Sequence, residues 1–339
     1  MITITKEGIL LQPGDHPFER RGVMNPGVYQ DGDMVHLFYR AVGQGGVSTI
    51  GYCRLDGPLR VVSRQNEPVI IPECPYESWG VEDPRIVRID RKWYLTYTAY
   101  DGDFALGAVA TSEDLITFTK QGVVFPRLTY PELYELIPGD RVDKRYLSYR
   151  DHVVWNKNLV FFPRRIRGKL FFLHRIRPGI LIAAVDDLYE LNMDFWKRYF
   201  GSLDEHILLD PVYPHESVHI GGGCPPVETS EGWLLIYHGI EAKDGALVYS
   251  ACAALLDADD PRIVIARLPF ALFLPEESWE KTGVTSDVVF PTGTAVFGER
   301  LYVYYGSADY CIGVVSMDIQ HLVGELLTHA ASRLLLPFE

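Results

Sequence analysis

Trp93-Tyr94-Leu95-Thr96-Tyr97-Thr98-Ala99, followed after a short gap by Leu106-Gly107-Ala108-Val109-Ala110, is an aromatic-rich run beside a run of small apolar residues. Aromatic residues alternating with small or polar ones over about 4 to 8 positions suit a half-buried strand, so the two runs read as neighbouring strands. The arrangement recurs at 35–41 with 50–53, 170–175 with 180–184, 233–239 with 249–254, and 301–306 with 312–315. A turn such as Asp31-Gly32-Asp33, Gly168-Lys169 or Glu231-Gly232 precedes each aromatic run. Five copies predict an all-β fold, a five-bladed β-propeller with long inter-blade loops, and a single catalytic domain over 1–339. The spacing of roughly 60 to 75 residues exceeds the about 40 to 50 of an ordinary blade, which leaves long loops, and long loops are commonly functional. The longest irregular segment, 127 to 151, is expected to cover a site or an oligomer contact.

With 47% hydrophobic and 23% charged residues over 339 positions, the chain has the composition of a globular protein. A net charge of −13 repels a phosphate backbone and argues against nucleic acid as a partner. No apolar run approaches the roughly 18 residues of a membrane span, and the N-terminus lacks a basic region followed by an apolar one, so a cytoplasmic protein with no membrane partner is expected. Cys53, Cys74, Cys224, Cys252 and Cys311 are odd in number and form no Cys-x-x-Cys pair. They read as buried thiols, with no disulfide framework and no metal site indicated.

Strands at equivalent places in a propeller converge on one channel. The polar residues ending the repeated strands are Arg40, Thr98, Arg175, His238 and, just after the last, Asp309. Asp83, between Trp79-Gly80-Val81 and Pro84, is the candidate catalytic acid. A Trp-lined apolar pocket would raise its proton affinity and suit it to donate to a glycosidic oxygen. A glycosidase needs a second carboxylate, whereas the channel supplies Lys157, Arg175 and His238, a set suited to an anionic nucleophile such as inorganic phosphate. Gly221 to Pro226 lacks the strand and helix context of a nucleotide loop and is expected to be a tight turn close to the channel.

The ordered motifs Asn25-Pro26-Gly27, Tyr39-Arg40-Ala41, Glu82-Asp83-Pro84-Arg85-Ile86, Asn156-Lys157-Asn158, Leu173-His174-Arg175, Tyr237-His238-Gly239 and Tyr304 to Asp309 resemble glycoside hydrolase family 130, the β-mannoside phosphorylases and their hydrolytic relatives. The resemblance implies inverting phosphorolysis of a β-mannoside to α-mannose 1-phosphate and a shortened acceptor, with no cofactor and with phosphate as co-substrate. It places the general acid on Asp83, its proton passing through a substrate hydroxyl, and sugar contacts on Asn25, Arg40 and Asp309. Tyr100 and Asp101 are further expected substrate contacts. The phosphate clamp falls on Lys157, Arg175, His238 and Tyr249, with Arg150 and Arg165 competing for the place of Lys157. Family habit adds a homo-oligomer. Two other classes stay open: a hydrolase on the same substrate, using Glu216 of His215-Glu216-Ser217-Val218-His219 as base, and a sugar-binding propeller without catalysis.

Overall fold

Each aromatic run becomes the second strand of an antiparallel group, with partners on both sides. The computed structural model describes residues 2–138, 146 and 152–330. After β1 (Thr5–Leu11), the first group is β2 (Gly22–Asp31), β3 (Met34–Val42), β4 (Ser48–Asp56) and β5 (Arg60–Arg64). The second is β6 (Gly80–Ile89), β7 (Lys92–Tyr100), β8 (Ala105–Ser112) and β9 (Thr119–Val123). The third is β10 (Lys157–Phe161), β11 (Leu170–Arg175), β12 (Ile180–Val185) and β13 (Ile207–Leu209). In the fourth, β14 (His219–Gly222) and β15 (Val227–Thr229) both run along β16 (Gly232–Lys243), followed by β17 (Ala246–Leu256) and β18 (Val264–Arg267). The fifth is β19 (Val289–Phe297), β20 (Arg300–Ser307) and β21 (Cys311–Asp318), and its outer edge is taken by β1 from the other end of the chain. The fold is therefore mostly β and built from several sheets. The glycine stretch at 221–226 corrects the expected tight turn: Gly221 and Gly222 are strand, and only 223–226 interrupts the ladder.

Apolar clusters fill the space between consecutive groups. One joins Phe38, Ile50 and Tyr52 to Ile86, Leu95 and Ala108. Another joins Val23, Leu37 and Cys53 of the first group to Ala295, Tyr304 and Val314 of the fifth, so the last group packs back on the first. Cys53, Cys224, Cys252 and Cys311 are buried free thiols, while Cys74 is half-buried. Among the described residues no helix is long and apolar enough to cross a membrane.

Four groups carry the same buried polar clasp. A glutamate from the loop before the first strand accepts a bond from a tyrosine of the second strand and pairs with a cation on the outermost strand. Tyr39 and Arg64 meet Glu19 at 2.7 and 2.8 Å. Tyr97 and Lys120 meet Glu77 at 2.6 and 2.6 Å. Tyr237 and Arg267 meet Glu216 at 2.8 and 2.6 Å. Tyr305 meets Glu280 at 2.5 Å, and Lys6 of β1 completes that set at 2.6 Å. All four glutamates are fully buried, so each carboxylate needs its partners to offset desolvation. In the third group the tyrosine's place is taken by His174, bonded to Asn156 and Tyr199 at 2.8 Å each. The clasp argues against Glu216 as the water-activating base of a hydrolase: its oxygens are engaged by Arg267, Tyr237 and the Val212 and Tyr213 amides.

Candidate active site

Asn25, Asp83, Asn158 and Asp309 are non-glycine residues with φ of +50°, +50°, +56° and +51°. Asn and Asp enter this left-handed region at least cost, because their short polar side chains can bond locally. Three of them sit where a first strand slips register against the second: between Met24 and Gly27, between Glu82 and Arg85, and between Lys157 and Val160. A bulge re-aims the side chain it carries. Here Asn25, Asp83, Asn158 and Asp309 all border one cavity of about 180 Å³. In the fourth group the equivalent space is left open by Gly221, where a Cβ would come within 2.5 Å of the His238 ring and 2.8 Å of Asn158 Oδ1, so glycine lets His238 reach the cavity from β16.

The cavity joins two charged halves. Asn25 donates to Asp83 Oδ1 at 2.7 Å, and Arg40 Nη1 stands 3.5 Å from the same oxygen, which leaves Oδ2 to face a ligand. Burial alone would raise the Asp83 carboxyl, but Arg40, Lys157, Arg85 and the Asn25 bond hold it below its ordinary 3.8. The expected rise in proton affinity is thus corrected to a fall. The expected Trp wall is corrected too: Trp79 is 63% exposed, and Trp155 lines the cavity instead. Glu82 lies behind and accepts from Arg40 at 2.7 Å and Lys157 at 3.4 Å, fixing both cations. Arg85 is buried close to Asp83 without lining the cavity, donating to Gly223 O at 2.5 Å and Asp83 O at 2.7 Å.

The other half is cationic and rich in donors without partners. Arg175 is buried with no partner on Nε, and burial and Arg177 bring its pKa down only to about 10, so it stays charged. His238 is fully buried with neither ring nitrogen bonded, and burial, Arg175 and Arg85 keep it neutral. His219 is likewise held neutral, by burial and by Arg175 and Arg177. Buried polar atoms without partners are costly, and this cluster fits an anion whose oxygens accept from all of them.

These shifts fix how stability responds to acid. His174 is pushed down to about 3 by burial, and His219 and His238 lie below their ordinary 6.5. The unfolded chain therefore takes up protons below pH 6.5 that the fold refuses, and each such histidine removes roughly 1.4 kcal/mol per pH unit. Glu77 and Glu280 are buried, which would raise them, yet bonds from Lys120 with Tyr97 and from Lys6 with Tyr305 hold them below 4.5. Their contribution is present above pH 4.5 and drains as pH falls through the folded value. The thermal midpoint is expected to decline from pH 6.5 and more steeply below 4.5, as calorimetry across that range would show. A flat profile down to pH 5 would contradict it.

Of the residues singled out in the sequence, Asp83, Asn25, Arg40, Asp309, Lys157, Arg175, His238 and Tyr249 all line this cavity. Tyr100 and Asp101 do not: the turn after β7 folds on itself, Tyr100 OH donating to Gly102 O at 2.9 Å and Asp101 accepting from Phe104 N at 2.8 Å and pairing with Arg127. Thr98 stays in register opposite Glu82 and is absent from the lining. Arg165 bonds Asp90 on the surface, which removes it as a rival to Lys157, and Arg150 lies outside the described residues. Of the expected covering segment, 139–145 and 147–151 also lie outside them, and Tyr130–Leu136 within it is a helix rather than irregular chain. Trp155, Asn158, Arg177, His219 and Phe290 are lining residues that sequence reasoning missed. Asn158 could have been found by aligning it with Asn25 and Asp83, Arg177 by following His174-Arg175-Ile176-Arg177 to its end, and His219 from the end of His215-Glu216-Ser217-Val218-His219. Phe290 carries no such signal.

A family model described as beta-1,4-mannooligosaccharide phosphorylase, glycoside hydrolase family 130, matches residues 4–327. The chain is 34% identical over 332 residues to a 1,2-beta-oligomannan phosphorylase of Thermoanaerobacter sp. (strain X514), covering 94% of this chain and 97% of that one. It is 33% identical to a beta-1,2-mannobiose phosphorylase of the same organism, over 93% and 96%. In structure it is similar to the beta-1,2-mannobiose phosphorylase of Listeria innocua solved with beta-1,2-mannobiose, with a TM-score of 0.74, 23% identity and coverage of 97% and 100%, a likeness of fold.

Proposed function

The chain belongs to glycoside hydrolase family 130, and on that premise we propose that it is an inverting phosphorylase of β-1,2-linked mannosides, acting without a cofactor on one five-bladed propeller domain. The propeller reading is supported by the five strand groups, by the apolar cluster joining fifth to first, and by their first strands. One end of these strands borders the charged cavity, and the other end, at Tyr29, Val87, Pro163, Pro226 and Thr294, borders a second cavity of about 390 Å³. The β-1,2 linkage rests on the names of the two relatives above 30% identity.

The observation that carries the activity is Asp83 set across from buried Arg175 and His238 and half-buried Lys157, in a cavity whose other carboxylate among the described residues, Asp309, is tied to Thr285, its Oδ2 accepting at 2.5 Å. A phosphate oxygen attacks the anomeric carbon as the glycosidic C–O bond breaks, and the departing oxygen takes a proton originating on Asp83. Inversion leaves α-mannose 1-phosphate. Phosphate bound to Arg175 and Lys157 cancels part of the positive field that keeps Asp83 ionised, so its carboxyl gains proton affinity when the nucleophile is in place. Asn25, Arg40 and Asp309 hold the reacting sugar, and Tyr249 flanks the phosphate.

The chain is expected to convert β-1,2-mannobiose to mannose 1-phosphate only when phosphate is supplied. His238→Ala should raise KM for phosphate about 10- to 100-fold, the loss of one hydrogen bond to a charged group. Product analysis with and without phosphate checks both. Free mannose released equally fast without phosphate would establish the hydrolase instead, and no turnover of any mannoside would leave a binding module.

A further inference from the structure

The reaction cavity, at about 180 Å³, is small beside the about 300 to 1,000 Å³ of common ligand sites. It does not end blindly. Trp155 and Arg177 also line a neighbouring cavity of about 500 Å³, with Tyr130, His152, Val153, Gly102 and Asp103 as its other walls among the described residues. Trp155 is set by a bond from Nε1 to Asp103 O at 2.8 Å, and it begins a track of rings: Tyr100 lies 6.1 Å from it and Trp79 a further 6.4 Å from Tyr100, centroid to centroid. Trp79 ends the track 63% exposed, though its backbone N–H is tied to Tyr100 O at 2.9 Å. Gly102 makes this placement feasible, since it has φ +103° and a Cβ there would stand 3.0 Å from Trp79 Nε1. A large aromatic held by its backbone yet left in water is an uncommon use of an indole and marks a contact surface.

We infer that this second cavity and the Trp155–Tyr100–Trp79 track form a binding shelf for the acceptor side of a manno-oligosaccharide, taking sugar rings beyond the one next to the cleaved bond. A pyranose offers an apolar C–H face and a rim of hydroxyls, and the shelf offers aromatic rings edged by Asp103, His152 and Arg177. The small cavity has room for the reacting sugar and phosphate, and the large one for the more distant sugar rings. The inference rests on the phosphorylase reading for which end of the chain enters. It also gives Tyr100 a place in the shelf rather than in the reaction cavity.

The test is binding calorimetry on the Asp83→Asn chain in phosphate-free buffer, with β-1,2-mannobiose, -triose and -tetraose, repeated with Trp79→Ala and Trp79→Phe added. The tetraose is expected to bind at least tenfold tighter than the biose, Trp79→Ala to abolish most of that gain, and Trp79→Phe to restore part of it. Trp79 is exposed, so neither change threatens folding. Equal affinities for the two sugars, or a gain untouched by Trp79→Ala, would overturn the shelf even if phosphorolysis is observed. A length-dependent gain in a chain that never uses phosphate would instead sink the phosphorylase reading and keep the shelf.

Discussion

Replacing Asp83 by Asn is expected to lower kcat for phosphorolysis by about 10²- to 10⁴-fold, the usual worth of a general acid. The substitution keeps shape: Asn can still accept from Asn25 through its amide oxygen, where Oδ1 does so now at 2.7 Å. What it removes is the proton and the charge. Because Arg40, Lys157 and Arg85 hold Asp83 ionised in the free protein, the wild-type chain needs bound phosphate to bring the proton back. Removing the carboxylate should therefore impair chemistry far more than phosphate binding. Single-turnover rates and phosphate affinity by calorimetry separate the two. A variant with near-normal turnover would move the acid to another residue, and one that merely fails to bind phosphate would make Asp83 a positioning group.

The part of this site legible in the sequence is the part encoded locally. Asn25-Pro26 and Asp83-Pro84 announce a polar residue at a backbone irregularity, and the aromatic strands reveal themselves by composition, so Arg40, Arg175 and His238 can be placed at their ends. The sequence nevertheless points to the aromatic strands as the channel lining, whereas the strand preceding each of them supplies Asn25, Asp83, Lys157, Asn158 and His219. Those strands are interrupted by bulges or glycines, which hides their periodicity. The sign of the Asp83 shift is beyond local reading, because it depends on cations drawn from β3, β6 and β10. Lys6 completing the Glu280 clasp, 274 positions away, is invisible for the same reason: the pairing of β1 with β21 joins the two ends of the chain, and no window of sequence contains it.

Glu216→Ala is expected to cost about 3 to 5 kcal/mol of stability, the penalty for leaving one member of a buried ion pair without the other. Arg267 is almost fully buried at 5% and would retain a bond to Tyr237 OH at 2.8 Å and to Asp210 O at 2.7 Å, but no opposite charge. The Val212 and Tyr213 amides would lose their acceptor at the same time. Glu216→Gln keeps an acceptor and should cost less, which guards against the alanine variant failing to fold. Denaturant titration gives both values. The same pair of variants bears on mechanism. As a clasp, Glu216 should change the amount of folded protein and its melting temperature while the folded fraction keeps its phosphate requirement. As a water-activating base it should do the reverse, with stability intact in Glu216→Gln and mannose release abolished. The 2.6 Å contact with Arg267 on the outermost strand of the group, together with the matching sets at Glu19, Glu77 and Glu280, favours the first outcome, because a repeated clasp is explained by the architecture shared by four groups and a catalytic base would be needed only once.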